Sequence, residues 1–98
     1  LAQTTPSQPA ATEPSQDLID RVLGAFVTEV GYPTGELKVK SYEVKTWSDG
    51  CLGLAYPEET CTQAVVNGWL ISVYEQGNEQ TAFKFRTDQE GTDIRLEP

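Results

Sequence analysis

Apolar residues recur at helical spacing near the start of the chain. Leu18, Ile19, Val22, Leu23, Phe26, Val27 and Val30 stand at i, i+1, i+4, i+5, i+8, i+9 and i+12, which is one broad stripe along a helix. Ser15 or Asp17 is placed to cap its start, and Asp17 and Asp20 suit the positive end of the helix dipole. Gly31 follows the last apolar position and Pro33 blocks continuation. The spacing predicts a helix over 17–30. Gly24 inside it costs up to about 1 kcal/mol against Ala unless a neighbour packs closely there.

Beyond Pro33 the pattern turns to alternation. Residues 36–47 are rich in Val, Lys, Tyr and Thr. Leu37 and Val39 share one parity while Tyr42 and Val44 share the other. A strand does this only with a bulge or break near Lys40–Ser41. Residues 69–75 and 80–87 read as a hairpin around Gly77 and Asn78, and 92–96 as a short last strand after a turn at 88–91. One N-terminal helix followed by a meander of three or four antiparallel strands is an α+β fold, with the helix over one face of the sheet.

The hairpin decides which face is core. Phe83 and Phe85 point inward, because Ala82, Lys84 and Arg86 hold the other parity. A three-residue loop sets Ile71 opposite Phe83 and Trp69 opposite Phe85, whereas a two- or four-residue loop sets Ser72 and Leu70 there. The first option buries more apolar area and is the expected register. Leu70, Tyr74, Lys84, Arg86 and Arg95 then share the outer face, with Lys38 and Lys40 as candidates to join them before the bulge. That face is expected to be open and locally cationic, and these five residues form the candidate partner-binding set.

The 98 residues make one small domain. Lys plus Arg is 7 against 15 for Asp plus Glu, a net charge of −8, which argues against general nucleic-acid binding. The absence of histidine removes imidazole acid–base chemistry and His metal ligands. Two cysteines cannot build a four-thiolate centre within one chain. No apolar run approaches the roughly 20 residues of a membrane span. Residues 1–16 hold Pro6, Pro9 and Pro14, with Glu13 their one charge. They read as an extended, solvated linker before a domain at 17–98. The Leu-Ala-Gln start resembles what a signal-peptidase cut leaves, so export is expected, the alternative being an arbitrary chain boundary. No Cys near the start offers a lipid anchor site.

Cys51 and Cys61 stand in a Gly/Pro-rich stretch and suit a short-loop disulfide in an oxidising compartment. In the chain-entropy model such a ring contributes roughly 2.5–3 kcal/mol. Free buried thiols or a redox pair are the alternatives; the CxxC spacing that favours the latter is absent. Gly50, Gly53, Leu52 and Leu54 around Cys51 describe a tight turn that plugs an open sheet end. Between Lys45 and Lys84 there is no Lys or Arg, while Asp49, Glu58, Glu59, Glu75 and Glu79 lie there. The disulfide loop and hairpin tip are therefore acidic, as a solvated face or as a surface that orients a partner.

Chemistry is sparsely signalled. The Asp88–Asp93 segment lacks the third acidic position and distal Glu of a calcium loop. Asp49, Glu58 and Glu59 are the only plausible paired carboxylates, and nothing implies a cleft that would separate their pKa values. Serines and threonines lack an activating base, and no phosphate-binding glycine motif is present. No enzymatic activity, cofactor or metal is expected. Trp47, Trp69, Tyr42, Tyr56 and Tyr74 are core residues, a partner surface or a glycan platform.

The run Trp47-Ser48-Asp49-Gly50-Cys51-Leu52-Gly53-Leu54, with Cys61, Gly68-Trp69, Phe83-Lys84-Phe85-Arg86-Thr87-Asp88 and Ile94-Arg95-Leu96, resembles an uncharacterised family of small exported bacterial domains, frequent in cyanobacteria. The resemblance covers about residues 37–96. It implies export and a shared fold and carries over no site residue. The order of elements is also similar to PepSY and cystatin-like domains, a likeness of topology alone that suggests protein binding. The function expected is a non-enzymatic exported module that binds another exported protein. Inhibition of a secreted peptidase through the constrained 51–61 loop, or binding of a glycan or small ligand, are the alternatives. Oligomeric state stays open.

Overall fold

A computed structural model describes residues 13–98. The elements among them are α1 (Gln16–Glu29), β1 (Leu37–Trp47), β2 (Val66–Glu75), β3 (Asn78–Asp88) and β4 (Ile94–Leu96). The four strands form one antiparallel sheet in the order β1-β2-β3-β4. The expected α+β meander is therefore present, with the helix on one face and a Cys51–Cys61 disulfide in the β1–β2 connection. The linker expectation for residues 1–12 lies outside the described residues.

Ser15 is the cap: its hydroxyl accepts the Leu18 N–H at 3.1 Å. The helix starts one residue earlier than the spacing suggests, and Asp17 is free to pair with Arg21 one turn on, at 3.0 Å. At the other end the Val30 and Gly31 N–H groups both donate to Phe26 O. Leu18, Val22 and Phe26 form the fully buried row and meet Trp69, Ile71, Val73 and Phe85. Phe26 stands edge-on to Phe83 with centroids 5.1 Å apart. Full burial of side chains of this size contributes about 1.5–3 kcal/mol each, which makes this row the main attachment of helix to sheet.

β1 carries the expected bulge. Val39 pairs with Val73 and Ser41 with Ser72, leaving Lys40 as the extra residue. The parity switch puts Leu37 and Val39 before it, and Tyr42 and Val44 after it, on the helix side. Leu37 and Val39 pack against the helix-side core, whereas Tyr42 stays 43% and Val44 57% exposed.

The hairpin register differs from the expectation. Ile71 faces Phe85, Val73 faces Phe83 and Trp69 faces Thr87. The turn itself is the two residues Gln76 and Gly77, since Glu75 pairs with Asn78. An irregularity then lets Tyr74 pair with Ala82, which inserts residues 79–81 into β3. The pairing has moved by two positions. An even shift keeps every side chain on its face, so the core residues are as expected although their partners are not.

Candidate functional site

Cross-strand pairing joins Leu70 to Arg86 and Arg86 to Arg95, Ser72 to Lys84, and Tyr74 to Ala82 and Lys38. Residues opposite one another share a face. Leu70, Tyr74, Lys84, Arg86 and Arg95 thus stand together on the outer face. The face is not uniformly open: the chain between β1 and β2 folds back over one end of it.

That loop is built from its own short-range contacts. Asp49 Oδ1 accepts the N–H groups of Cys51 at 2.8 Å and Gly53 at 3.1 Å. Cys51 and Leu52 are buried at 3% and 1%, outside the helix-side core cluster. The disulfide closes the ring with Cα atoms 5.4 Å apart. Further along, Glu59 N–H returns to Tyr56 O at 2.9 Å, and Glu58 takes the left-handed φ of +67° that closes this turn. Asp49 lies beside both sulfurs, but the sulfurs are joined to each other and the carboxylate is engaged with the loop backbone.

Arg86 and Arg95 hold the loop down. Arg86 donates through Nη1 to Leu52 O at 2.7 Å and through Nε to Glu97 at 2.8 Å. Its guanidinium sits 4.8 Å from the centre of the Trp47 ring. Arg95 donates to Leu54 O at 3.0 Å, to both Glu59 oxygens at 2.6 and 2.5 Å, and to Asp93 at 3.0 Å. It lies 4.8 Å over the Tyr56 ring. The Arg95 side chain is 9% exposed and that of Arg86 23%. Two of the five candidate residues therefore spend their charge inside the molecule. The loop, whose path no local pattern discloses, is the reason.

The ion pair sets the electrostatics here. The Arg95 hydrogen bonds, then the Tyr56 N–H, pull the Glu59 carboxyl down to about 2, and the Arg95 guanidinium is raised in turn. The expected acidic surface is partly consumed as well. Asp49 and Glu59 organise the loop, Glu75 accepts the Thr34 N–H and hydroxyl, and Glu79 accepts the Gly77 N–H, which lowers its pKa. Asp88 likewise closes its own turn by accepting the Thr92 N–H, and Asp93 is held by Arg95.

The other end of the face is bare. Leu70 and Tyr74 are half-buried, Ser72 is buried among them, and Lys38 and Lys84 are exposed. Lys38 lies 3.8 Å from Glu36. Among the described residues, Lys84 and Lys40 are the cations without a carboxylate at ion-pair distance. Sequence reasoning missed Glu59, Glu97 and Trp47 as parts of this architecture. The Asp49-Gly50 and Pro57-Glu58 turn signals were the available hints of a self-structured loop.

A family model described as a domain of unknown function (DUF8738) matches residues 19–96. The chain belongs to this family. The matched span runs from the first turns of α1 to the end of β4, so the DUF8738 unit includes the sheet, the disulfide loop and both clamping arginines. The resemblance to an uncharacterised domain family thus holds at that level. Comparison of the DUF8738 chain with curated proteins and with solved structures finds no match. Among the described residues no helix is long and apolar enough to cross a membrane.

Proposed function

We propose that this domain is a non-enzymatic, exported module that docks another protein on the bare half of its outer sheet face. Leu70 and Tyr74 supply apolar contact there, and Lys38 and Lys84 supply charge. The observation that carries this reading is Lys84: exposed, beside Tyr74, and without a carboxylate partner among the described residues, on a chain of net charge −8. Arg86 and Arg95 act as posts that fix the loop at the edge of that surface. An apolar centre with cations at its rim suits a partner carrying Asp or Glu around an apolar group. The disulfide supports an oxidising compartment.

The test is capture from exported proteins by the oxidised domain and by a Lys38→Glu/Lys84→Glu variant. A partner held by the first and lost by the second, at equal melting temperature, is the expected result. Equal capture by both moves the docking surface elsewhere. A second reading is favoured by the rigidity of the loop, which presents Tyr56-Pro57-Glu58 at low ordering cost. Inhibition assays against secreted peptidases address it directly, and absence of inhibition at micromolar protein removes it.

A further inference from the structure

Among the described residues β1 pairs with β2 alone, and its other edge is self-complementary. After the bulge at Lys40, β1 runs regularly through seven residues, Ser41–Trp47, before the chain turns at Ser48. Val44 is the middle of that run. If a second copy pairs antiparallel about Val44, Tyr42 faces Thr46 of the copy, Glu43 faces its Lys45, Val44 faces its Val44, and Lys45 faces its Glu43. The charge pair is opposite in sign, and the two-fold symmetry supplies it twice.

Exposure points the same way. Val44 at 57% and Tyr42 at 43% are large apolar residues left exposed on the helix side of β1. Glu43 and Lys45 reach only a loose contact of 3.7 Å within the strand, with side chains 61% and 41% exposed. An unpaired strand also presents a row of unused backbone N–H and C=O groups. The bulge at Lys40 ends regular pairing on one side and the turn at Ser48 ends it on the other, which fixes the register.

We infer that β1 is a homodimer edge: two copies join through Ser41–Trp47 in a two-fold antiparallel pairing centred on Val44, giving one continuous eight-stranded sheet. A two-fold contact of this kind is isologous, so each strand meets itself. The inference is independent of the outer-face docking reading, because it uses the strand edge and the charges on either side of Val44.

Charge exchange tests it. Alone, Glu43→Lys sets Lys against Lys and Lys45→Glu sets Glu against Glu. Mixed together, the two variants are complementary at both pairs. By sedimentation velocity the wild type is expected to dimerise with a micromolar dissociation constant. Each single variant should weaken this about tenfold or more, and an equimolar mixture should restore it. Val44→Lys, which places like charges on the axis, should leave a folded monomer. Three results overturn the inference: a wild type that stays monomeric to about 1 mM, a dimer that Val44→Lys leaves intact, or a mixture no tighter than its components.

Discussion

Arg95 and Glu59 meet in a two-pronged ion pair, Nη1 to Oε1 at 2.6 Å and Nη2 to Oε2 at 2.5 Å. They are 36 positions apart, one on the last strand and one in the disulfide loop. The parallel fork fixes direction as well as distance, so it anchors the loop to β4 at a defined angle. Asp93 and Leu54 O take further donors of the same guanidinium, which leaves the charge well satisfied although little of it reaches solvent.

This pair makes loop attachment acid-sensitive. Glu59 titrates near 2 in the fold against 4.5 for a free glutamate. A group with a depressed folded pKa contributes stability that is full above the unfolded value and is lost as pH falls through the folded one. The contribution of Glu59 should therefore hold down to about pH 4.5 and drain away between there and pH 2. Glu59→Gln should lower the melting temperature at pH 7 and flatten its decline over that window. Thermal unfolding of both proteins at stepped pH checks this, and parallel curves would count against it.

Removing the disulfide by Cys51→Ser/Cys61→Ser should cost roughly 2.5–3 kcal/mol if its effect is mainly on the unfolded chain. The helix-side core does not include Cys51 or Leu52, so the α1–sheet packing should survive. Denaturant titration gives the energy. Near-ultraviolet circular dichroism should show a change in the Trp47 environment, since Arg86 lies over that ring and is itself held by Leu52 O of the loop.

The helix, the strand order and the β1 bulge were legible because each is written in local periodicity. A parity change at Lys40–Ser41 has one geometric outcome, and the structure has it. The pairing of Ile71 with Phe85 was not legible. It depends on residues 79–81 being inserted after a two-residue turn, and alternation survives an even shift without leaving a trace. The fate of Arg86 and Arg95 was hidden for a different reason. Their face could be inferred from the hairpin, but whether a face is covered depends on where an 18-residue connection travels, from Ser48 to Val65, and two of its acceptors, Leu52 O and Leu54 O, are backbone carbonyls with no sequence signature. The carboxylate that matters most, Glu59, looks like any turn residue until Arg95 is placed beside it.

Lys84→Glu alone should leave the fold intact, since the side chain is exposed and has no carboxylate partner among the described residues. Surface changes of this kind usually stay within about 0.5 kcal/mol. Arg86→Glu at the neighbouring position should behave differently. It places a carboxylate beside Glu97 and against Leu52 O, where the guanidinium now donates. A marked fall in melting temperature for Arg86→Glu and little change for Lys84→Glu would separate the clamping cation from the solvent-facing one. Equal effects would merge their roles.

Gly24 and Gly68 should respond oppositely to the same substitution. Gly24 lies in mid-helix, exposed, with nothing within 4 Å of where a Cβ would stand. Gly24→Ala should stabilise by about 0.5–1 kcal/mol through better helix propensity and a less entropic unfolded chain. Gly68 sits in β2 where a Cβ would come 1.8 Å from Thr87 O. That carbonyl also accepts the Trp47 indole N–H at 2.9 Å, although Trp47 is on β1 and Thr87 on β3. The indole thus bridges across β2 at the place where β2 carries no side chain, and β3 comes close for the same reason. Gly68→Ala must push β3 away, loosen that bond and disturb Trp69 next to it, at a cost of about 1–3 kcal/mol. Paired denaturant titrations should show midpoints displaced in opposite directions. A neutral Gly68→Ala would mean that β2 and β3 can separate there without loss, and the close approach would then have no part in holding the sheet.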